Sequence, residues 1–390
     1  MKAKMKLLMS TIFYRELRRI LKDKDLILIT LLVPVFYSLF YSGIYVNKVV
    51  TNIRVGIVDQ DNSAISRMIK RDILADPVLE PVGYAKIDQA IDAMKSNSIE
   101  AYLIIPNDLE KNIKRGHQVT VPLYISSLNF MVNIEANKRL GTILQQLSYA
   151  VQAKYWMSKG LPLSVALKQI MPIKPDIHPV GNPTYSYGDF VVVGLLVLIL
   201  QQLLMIGMAE STAKETEEDT WPDLFQNEKG SIFRIIAGKS AAFLVFFLVY
   251  FVVFIQIVMP LFHIKQIGSF WALLLFGILF LTVTVLMGFF LGTFFTRKIQ
   301  AFQVLALTSL PIFLMSGYSW PFFVLPFEIK VLNFFIPAYW MMLPFQKITQ
   351  TGAPLSTQFS SLLILIAQSI MYAGLLYWCL KQKSSKVQTI

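Results

Sequence analysis

Six long apolar stretches, separated by very unequal gaps, occupy this chain from Leu26 onward. The first is about Leu26–Val46, and a polar segment of roughly 140 residues follows it. Five more then come close together, at about Phe190–Ala209, Ala241–Phe262, Phe270–Phe295, Ala301–Tyr318 and Ser360–Leu380. Each is near or above the ~20 residues a helix needs to cross ~30 Å of hydrocarbon at 1.5 Å per residue. None alternates with period 2, and in lipid every backbone polar group must be satisfied within a helix or a closed barrel. The fold class expected is therefore an α-helical integral membrane protein. It would have six transmembrane helices and a mixed α/β extracytoplasmic domain inserted between helices 1 and 2.

The net charge of +12 could suggest a nucleic acid partner, but its distribution argues against one. Basic residues crowd the N-terminal tail (Lys2, Lys4, Lys6, Arg15, Arg18, Arg19, Lys22, Lys24), the turn Arg297–Lys298 and the C-terminal tail (Lys381, Lys383, Lys386). Such charges set topology. They place both termini in the cytoplasm and residues 47–188 outside. A cleavable signal peptide is the rival for the first stretch; the apolar run is too long for one, and no A-x-A site follows. The expected division is a cytoplasmic tail with an amphipathic interface helix (1–25), transmembrane helix 1 (26–46) and the extracytoplasmic domain (47–188). A helical bundle (189–380) with a re-entrant segment at about 320–357, and a short cytoplasmic tail (381–390), complete it.

Cys379 is the one cysteine, so the outer segment has no disulfide and needs an ordinary core. His117, His178 and His263 are isolated, which leaves metal chemistry unsupported. Ile53–Asp59 alternates and is β-branched, predicting a strand. Asp61-Asn62-Ser63 then offers N-cap oxygens to a helix marked by Ile65, Met68, Ile69 and Ile73. A helix over Asp88–Ser96, a strand at Ala101–Ile105, a short helix from Pro106-Asn107-Asp108 to Gly116, a strand at Val119–Ile125 and a long helix from Val132 to Lys159 follow. Asp59 and Asp61 are paired carboxylates at a strand-to-helix turn, where acids commonly cap helices. Capping is favoured over metal binding or catalysis.

Gly238-Lys239-Ser240 resembles the end of a phosphate-binding loop. That loop needs glycine five residues before Gly238, where Phe233 stands. Lys239 sits at the mouth of an apolar stretch, where a snorkelling lysine is usual. Two cytoplasmic segments are more informative. Ile12, Phe13, Leu17, Ile20 and Leu21 form an apolar stripe with Arg15, Arg18, Arg19 and Lys22 on the other faces and Glu16 as the odd acid, predicting a surface helix. Residues 210–239 form the one long cytoplasmic loop and pack Glu215, Glu217, Glu218 and Asp219 beside Thr220 and Trp221. Acids gain nothing from an anionic leaflet, so contact with protein is favoured there. The six stretches hold no ionisable group, only amides such as Gln201, Gln202, Gln256, Gln303 and Gln368.

In these segments the chain resembles the type-2 ABC exporter permeases, in the subgroup with a large extracytoplasmic domain after the first helix. R-E-L-R-R-I-L-K-D-K-D is similar to that family's interface helix. V-G-I-V-D-Q-D-N-S-A-I-S-R resembles the opening of its outer domain, and N-P-T-Y-S-Y-G-D-F the approach to its second span. A-K-E-T-E-E-D-T-W resembles its acidic E-x-E-x-G-T loop, with Asp219 where glycine is usual. R-K-I-Q-A-F-Q and S-G-Y-S-W-P also fit. The resemblance implies a permease subunit of an ATP-driven exporter in the bacterial inner membrane. Separate ABC ATPase subunits would carry ATP and Mg, and this chain would hold no cofactor and no catalytic residue. A second permease chain, identical or paralogous, would complete the pathway, with membrane lipid around it and room for a periplasmic adaptor. Arg15, Glu16, Arg18, Arg19, Glu215, Glu217, Glu218, Thr220 and Trp221 would couple to the ATPase; Gln201, Gln202, Gln303 and Tyr318 would line the substrate pathway. The aromatic-rich outer halves favour an amphipathic or lipid-like substrate or drug. The alternatives are a secondary transporter, which needs ionisable groups in its spans, and a membrane-anchored sensor or binding protein using the outer domain.

Overall fold

The computed structural model describes residues 12–44, 50–172, 187–227, 231–318, 320 and 322–388. Lys2, Lys4, Lys6, Asn47, Pro321 and most of the proline-rich linker 171–183 lie outside the described residues. Two compact units divide the chain: Met1–Lys48 with Pro179–Ile390, and Val49–His178.

The first unit opens with α1, which includes residues 12–20. Its buried stripe is Ile12, Glu16 and Ile20, spaced four apart on one face, while Leu21 is half exposed. Glu16 thus lies on the buried face, which corrects its reading as a stray acid in a basic surface. Asp23 accepts from the Asp25 N–H at 3.0 Å and caps α2, Lys24–Ile44, the first helix apolar and long enough to span. A π-helical segment, Leu28–Leu32, interrupts α2.

The second unit is a four-stranded sheet with helices on both faces. In chain order it comprises β1 Ile53–Asp59, α3 Ala64–Leu74, β2 Leu79–Tyr84, α4 Ile87–Lys95, β3 Ala101–Ile105, α5 Leu109–Lys114, β4 Leu123–Ile125, α6 Phe130–Ser158 and α7 Leu163–Ile170. The strand order is β2-β1-β3-β4, with β1 parallel to β2 and β3 and with β3–β4 antiparallel. Period-2 alternation splits the core. Ile53, Val55, Ile57, Leu103 and Ile105 join Ile69, Ile73 and Leu140 of α3 and α6, while Val58 and Tyr102 join Ala90 of α4 on the other face.

Capping is borne out for Asp61, whereas Asp59 holds the turn before α3 and Ser63 caps that helix. Asp61 accepts from the Leu109 and Glu110 N–H groups at the start of α5, and Glu110 returns a bond from the Ala64 N–H at the start of α3. Burial raises the Asp59 carboxyl pKa, but Lys70 at 2.6 Å and the Asn62 and Asp61 N–H groups outweigh it and hold the group below its ordinary value. β2 was not foreseen, and the expected strand at Val119–Ile125 is shortened to Leu123–Ile125.

The first unit then resumes with α8 Tyr187–Glu217, α9 Trp221–Asn227, α10 Ile232–Leu261, α11 Phe270–Gly292, α12 Lys298–Met315, α13 Phe327–Phe334, α14 Pro337–Gln346 and α15 Leu355–Ser385. Together with α2, helices α8, α10, α11, α12 and α15 are long and apolar enough to cross a membrane. α8 is the central post, packed against α2, α11, α12 and α14. It crosses α11 so closely that a Cβ on Gly288 would lie 2.7 Å from the Met205 carbonyl oxygen. The aromatic-rich stretch after α12 is broken into short helices, in keeping with its prolines.

α8 and α10 both outrun the apolar stretches. α8 stays helical through Glu210 and Glu215, and α10 begins before Lys239. The polar loop expected over residues 210–239 is therefore mostly two helix ends and the short helix α9.

Candidate functional site: an ion-pair knot under the N-terminal helix

Five charged side chains meet where α1 lies on α8 and α10. Glu215, on the last turn of α8, receives Arg15 and Arg19 from α1 and Lys239 from α10, the last at 2.9 Å. Lys239 also donates to Glu16 at 3.0 Å and to the Ser211 carbonyl at 3.2 Å. Ser211 donates its hydroxyl to Glu16 at 2.9 Å. Glu16, Glu215 and Lys239 are fully buried. Desolvating three charges is tolerable only because each faces an opposite charge and hydrogen-bond partners.

Gly238 makes the approach possible. A Cβ there would meet Ile12 Cβ at 2.9 Å, so glycine lets α1 settle on α10 and bring Glu16 to Lys239. The motif Gly238-Lys239-Ser240 thus has a packing role at this contact, and the snorkelling expected of Lys239 is corrected: its ammonium points into protein.

A second tier surrounds the knot. Arg19 also pairs with Glu218 at 3.1 Å, and Lys214 pairs with Asp23 and with Glu218. Glu217 accepts from the Lys298 backbone N–H at 2.9 Å and so caps α12, while the Lys298 ammonium reaches Asp25. The start of α2, the end of α8 and the start of α12 are thereby tied together. Asp219 adopts φ +51, the left-handed region where glycine is easiest. The departure from glycine at this turn therefore keeps the turn geometry, since aspartate is among the few residues that tolerate it.

The aromatic of this region is placed differently from expectation. Trp221 is 5 % exposed, stacks on Phe225, donates to Thr216 Oγ1 at 2.9 Å and lies under Lys383 of α15 at 5.1 Å. It is a strut inside the chain, which corrects its reading as an anchor presented to a partner. Thr220 donates to Glu215. Facing outward instead is a cleft of about 530 Å³ lined by Arg18, Arg19, Lys22, Lys214, Glu218 and Asp223 among others. Sequence reasoning missed Ser211, Lys214, Lys239 and Lys298. Apart from the i,i+4 pair of Lys214 with Glu218, their partners lie far away in the chain, and local spacing does not reveal them.

The four expected pathway residues do not share one surface. Gln202 lines an apolar cavity of about 460 Å³ between α2, α8 and α12, with Ile29, Val33, Tyr37, Ile199, Phe302 and Phe313 among the walls. Its Nε2 donates to Thr308 Oγ1 at 3.5 Å; its Oε1 is buried and finds no partner among the described residues. Gln201 points elsewhere and accepts from the Ala338 N–H of α14. Gln303 is exposed on α12. Tyr318 stacks on Phe190 at 4.6 Å and donates to its carbonyl. Gln201 thus makes an interhelical hydrogen bond through its Oε1, while its buried Nε2 finds no partner among the described residues; Gln202 is the one that lines the cavity between α2, α8 and α12.

Comparison with known proteins agrees with this architecture. The family described as ABC-2 family transporter protein matches residues 24–378. Two curated relatives, each named probable multidrug ABC transporter permease YbhS, come from Escherichia coli strain K12 and from Escherichia coli O157:H7. Each is 21 % identical over 372 residues, covering 95 % of both chains. From span 1 to the last helix, the chain belongs to the ABC-2 transporter family, as a multi-pass membrane subunit of the permease type whose family implies an ATPase partner.

Proposed function

We propose that this chain exports an amphipathic or lipid-like substrate or drug across the bacterial inner membrane, driven by separate ABC ATPase subunits that bind at α1. The observation that carries this reading is the buried knot Glu16–Lys239–Glu215–Arg15/Arg19. It fastens a surface helix to two spans, so a push on α1 is delivered to α8 and α10 rather than dissipated in a loop. The outward cleft beside Arg18 and Lys22 supplies a mixed-charge face for the ATPase, which would bring ATP and Mg. The N-terminal and C-terminal lysines favour cytoplasmic placement of both termini and of this face. A second permease chain, identical or paralogous, would complete the pathway.

The multidrug name of the relatives supports an amphipathic cargo, as does the cavity at Gln202, whose walls are apolar apart from a few polar groups. The test is ATP-dependent accumulation of a fluorescent amphiphile in inside-out vesicles holding the chain and its cognate ATPase. Gln202→Leu should lower accumulation more than expression, and Gln201→Leu should lower both together. Accumulation that is independent of ATP, or that follows an imposed ion gradient alone, would favour secondary transport.

A further inference from the structure

The hairpin of α6 and α7 ends in an aromatic, basic tip. α6 has 29 residues, about 43 Å at 1.5 Å per residue. Its first part, through Leu147 and Val151, covers the sheet. Beyond that it packs on α7, with Ala153 and Ala166 buried between the two helices. Gly160, at φ +89, and Pro162 make the turn. The surface that remains includes six apolar side chains: Tyr155, Trp156, Met157, Leu163, Val165 and Leu167 are each at least a third exposed.

The charges at this end are all of one sign. Between Glu135 and Asp176 the sequence has no acid, and Lys154, Lys159 and Lys168 rim the apolar tip, all exposed. The Lys159 ammonium lies 5.7 Å from the Tyr155 ring centre. Tyrosine and tryptophan flanked by lysine is the chemistry of a membrane–water interface: amphipathic rings sit at headgroup level while ammonium groups meet anionic headgroups. A second copy of the same tip would bring like charges together, which disfavours self-association through it.

We infer that the α6–α7 tip docks onto the anionic surface of the bilayer, so that the sheet unit rests on lipid through Tyr155, Trp156 and Leu163. This goes beyond the transport reading and does not depend on it. The test uses the full chain in a Cys379→Ser background, with Met157→Cys carrying a fluorophore. Lys95→Cys, on the helix covering the opposite face of the sheet, is the control. The chain is reconstituted in phosphatidylcholine vesicles with and without phosphatidylglycerol, each containing brominated lipid as quencher. The Met157 probe should be quenched, more with phosphatidylglycerol, and the Lys95 probe spared. Reversing Lys154, Lys159 and Lys168 to glutamate should abolish the phosphatidylglycerol dependence without changing the melting temperature. Equal quenching at both positions, or an unquenched Met157 probe, would overturn the proposal. Disulfide cross-linking between copies at the unlabelled Met157→Cys would overturn it too, by assigning the tip to an interface between copies.

Discussion

Lys239 is held by two buried carboxylates, so the cost of removing it is asymmetric. Lys239→Met leaves the buried Glu16 with the Ser211 hydroxyl at 2.9 Å and, as a cation, the more distant Arg15 guanidinium at 3.7 Å. Breaking a buried pair by deleting one partner typically costs about 3–5 kcal/mol. The substitution should lower the melting temperature and yield of the detergent-purified chain sharply, and Glu16→Leu added to Lys239→Met should restore part of the loss. If the single variant melts like the wild type, the pair is not desolvated as described. At the neighbouring turn, Asp219→Gly should be tolerated, whereas Asp219→Val should cost about 1–2 kcal/mol for a β-branched residue in the left-handed region. The charged residues at this site were individually legible in the sequence as an acidic segment and a basic stripe. Their pairing was not, because Glu16 and Lys239 are 223 positions apart and burial is decided by packing. Lys239 taken alone has the sequence context of a snorkelling lysine.

The spanning helices were legible from apolar length, but their ends were not. α8 continues to Glu217 because its polar last turns are satisfied by α1, α10 and α12, and hydropathy registers only the apolar part. β2 escaped notice for a local reason. Its sequence, Leu79–Tyr84, contains Pro81 and Gly83, which weaken a strand signal, and Pro81 is tolerated because β2 is an edge strand. Three π-helical segments occur among the described residues, Leu28–Leu32 in α2, Phe254–Val258 in α10 and Lys347–Thr351 continuing α14, and Tyr250 of α10 donates its hydroxyl to the Leu31 carbonyl at 2.7 Å. Such segments often mark functional sites. Tyr250→Phe should cost only about 0.6 kcal/mol, the usual worth of an interhelical hydrogen bond in a membrane. Gly288→Val should be far worse, because the obstacle to its side chain is the Met205 backbone and cannot rotate away. Thermal melting of both variants in the same detergent checks the order; the reverse order would mean that α8 and α11 do not cross as closely as described.

At the scale of the molecule, the unit Val49–His178 has its own sheet and two-sided core, and expressed alone it should unfold cooperatively. The folded Asp59 carboxyl lies below its ordinary value of 3.8, so its contribution to stability is fully present above that pH and is lost as pH falls through the folded value. Melting of the excised unit should weaken below about pH 4, and Asp59→Asn should flatten that dependence; a melting temperature unchanged down to pH 2 would contradict it. Membrane class, span count and the α/β character of this unit were all readable from hydropathy and periodicity. The cavity at Gln202 was only partly readable, because its walls come from three helices distant in sequence. The central claim is that the face carried by α1 receives the ATPase. Capture of the cognate ATPase subunit by the purified chain, wild type against Arg18→Glu/Lys22→Glu, at low and high salt, tests it most directly. Both residues are exposed at the cleft and lie outside the buried knot, so the variant should fold and melt as the wild type does. The expected result is weaker capture by the variant, with the larger difference at low salt because surface charges are screened as salt rises. Equal capture by both chains at both salt concentrations, with folding intact, would contradict the account.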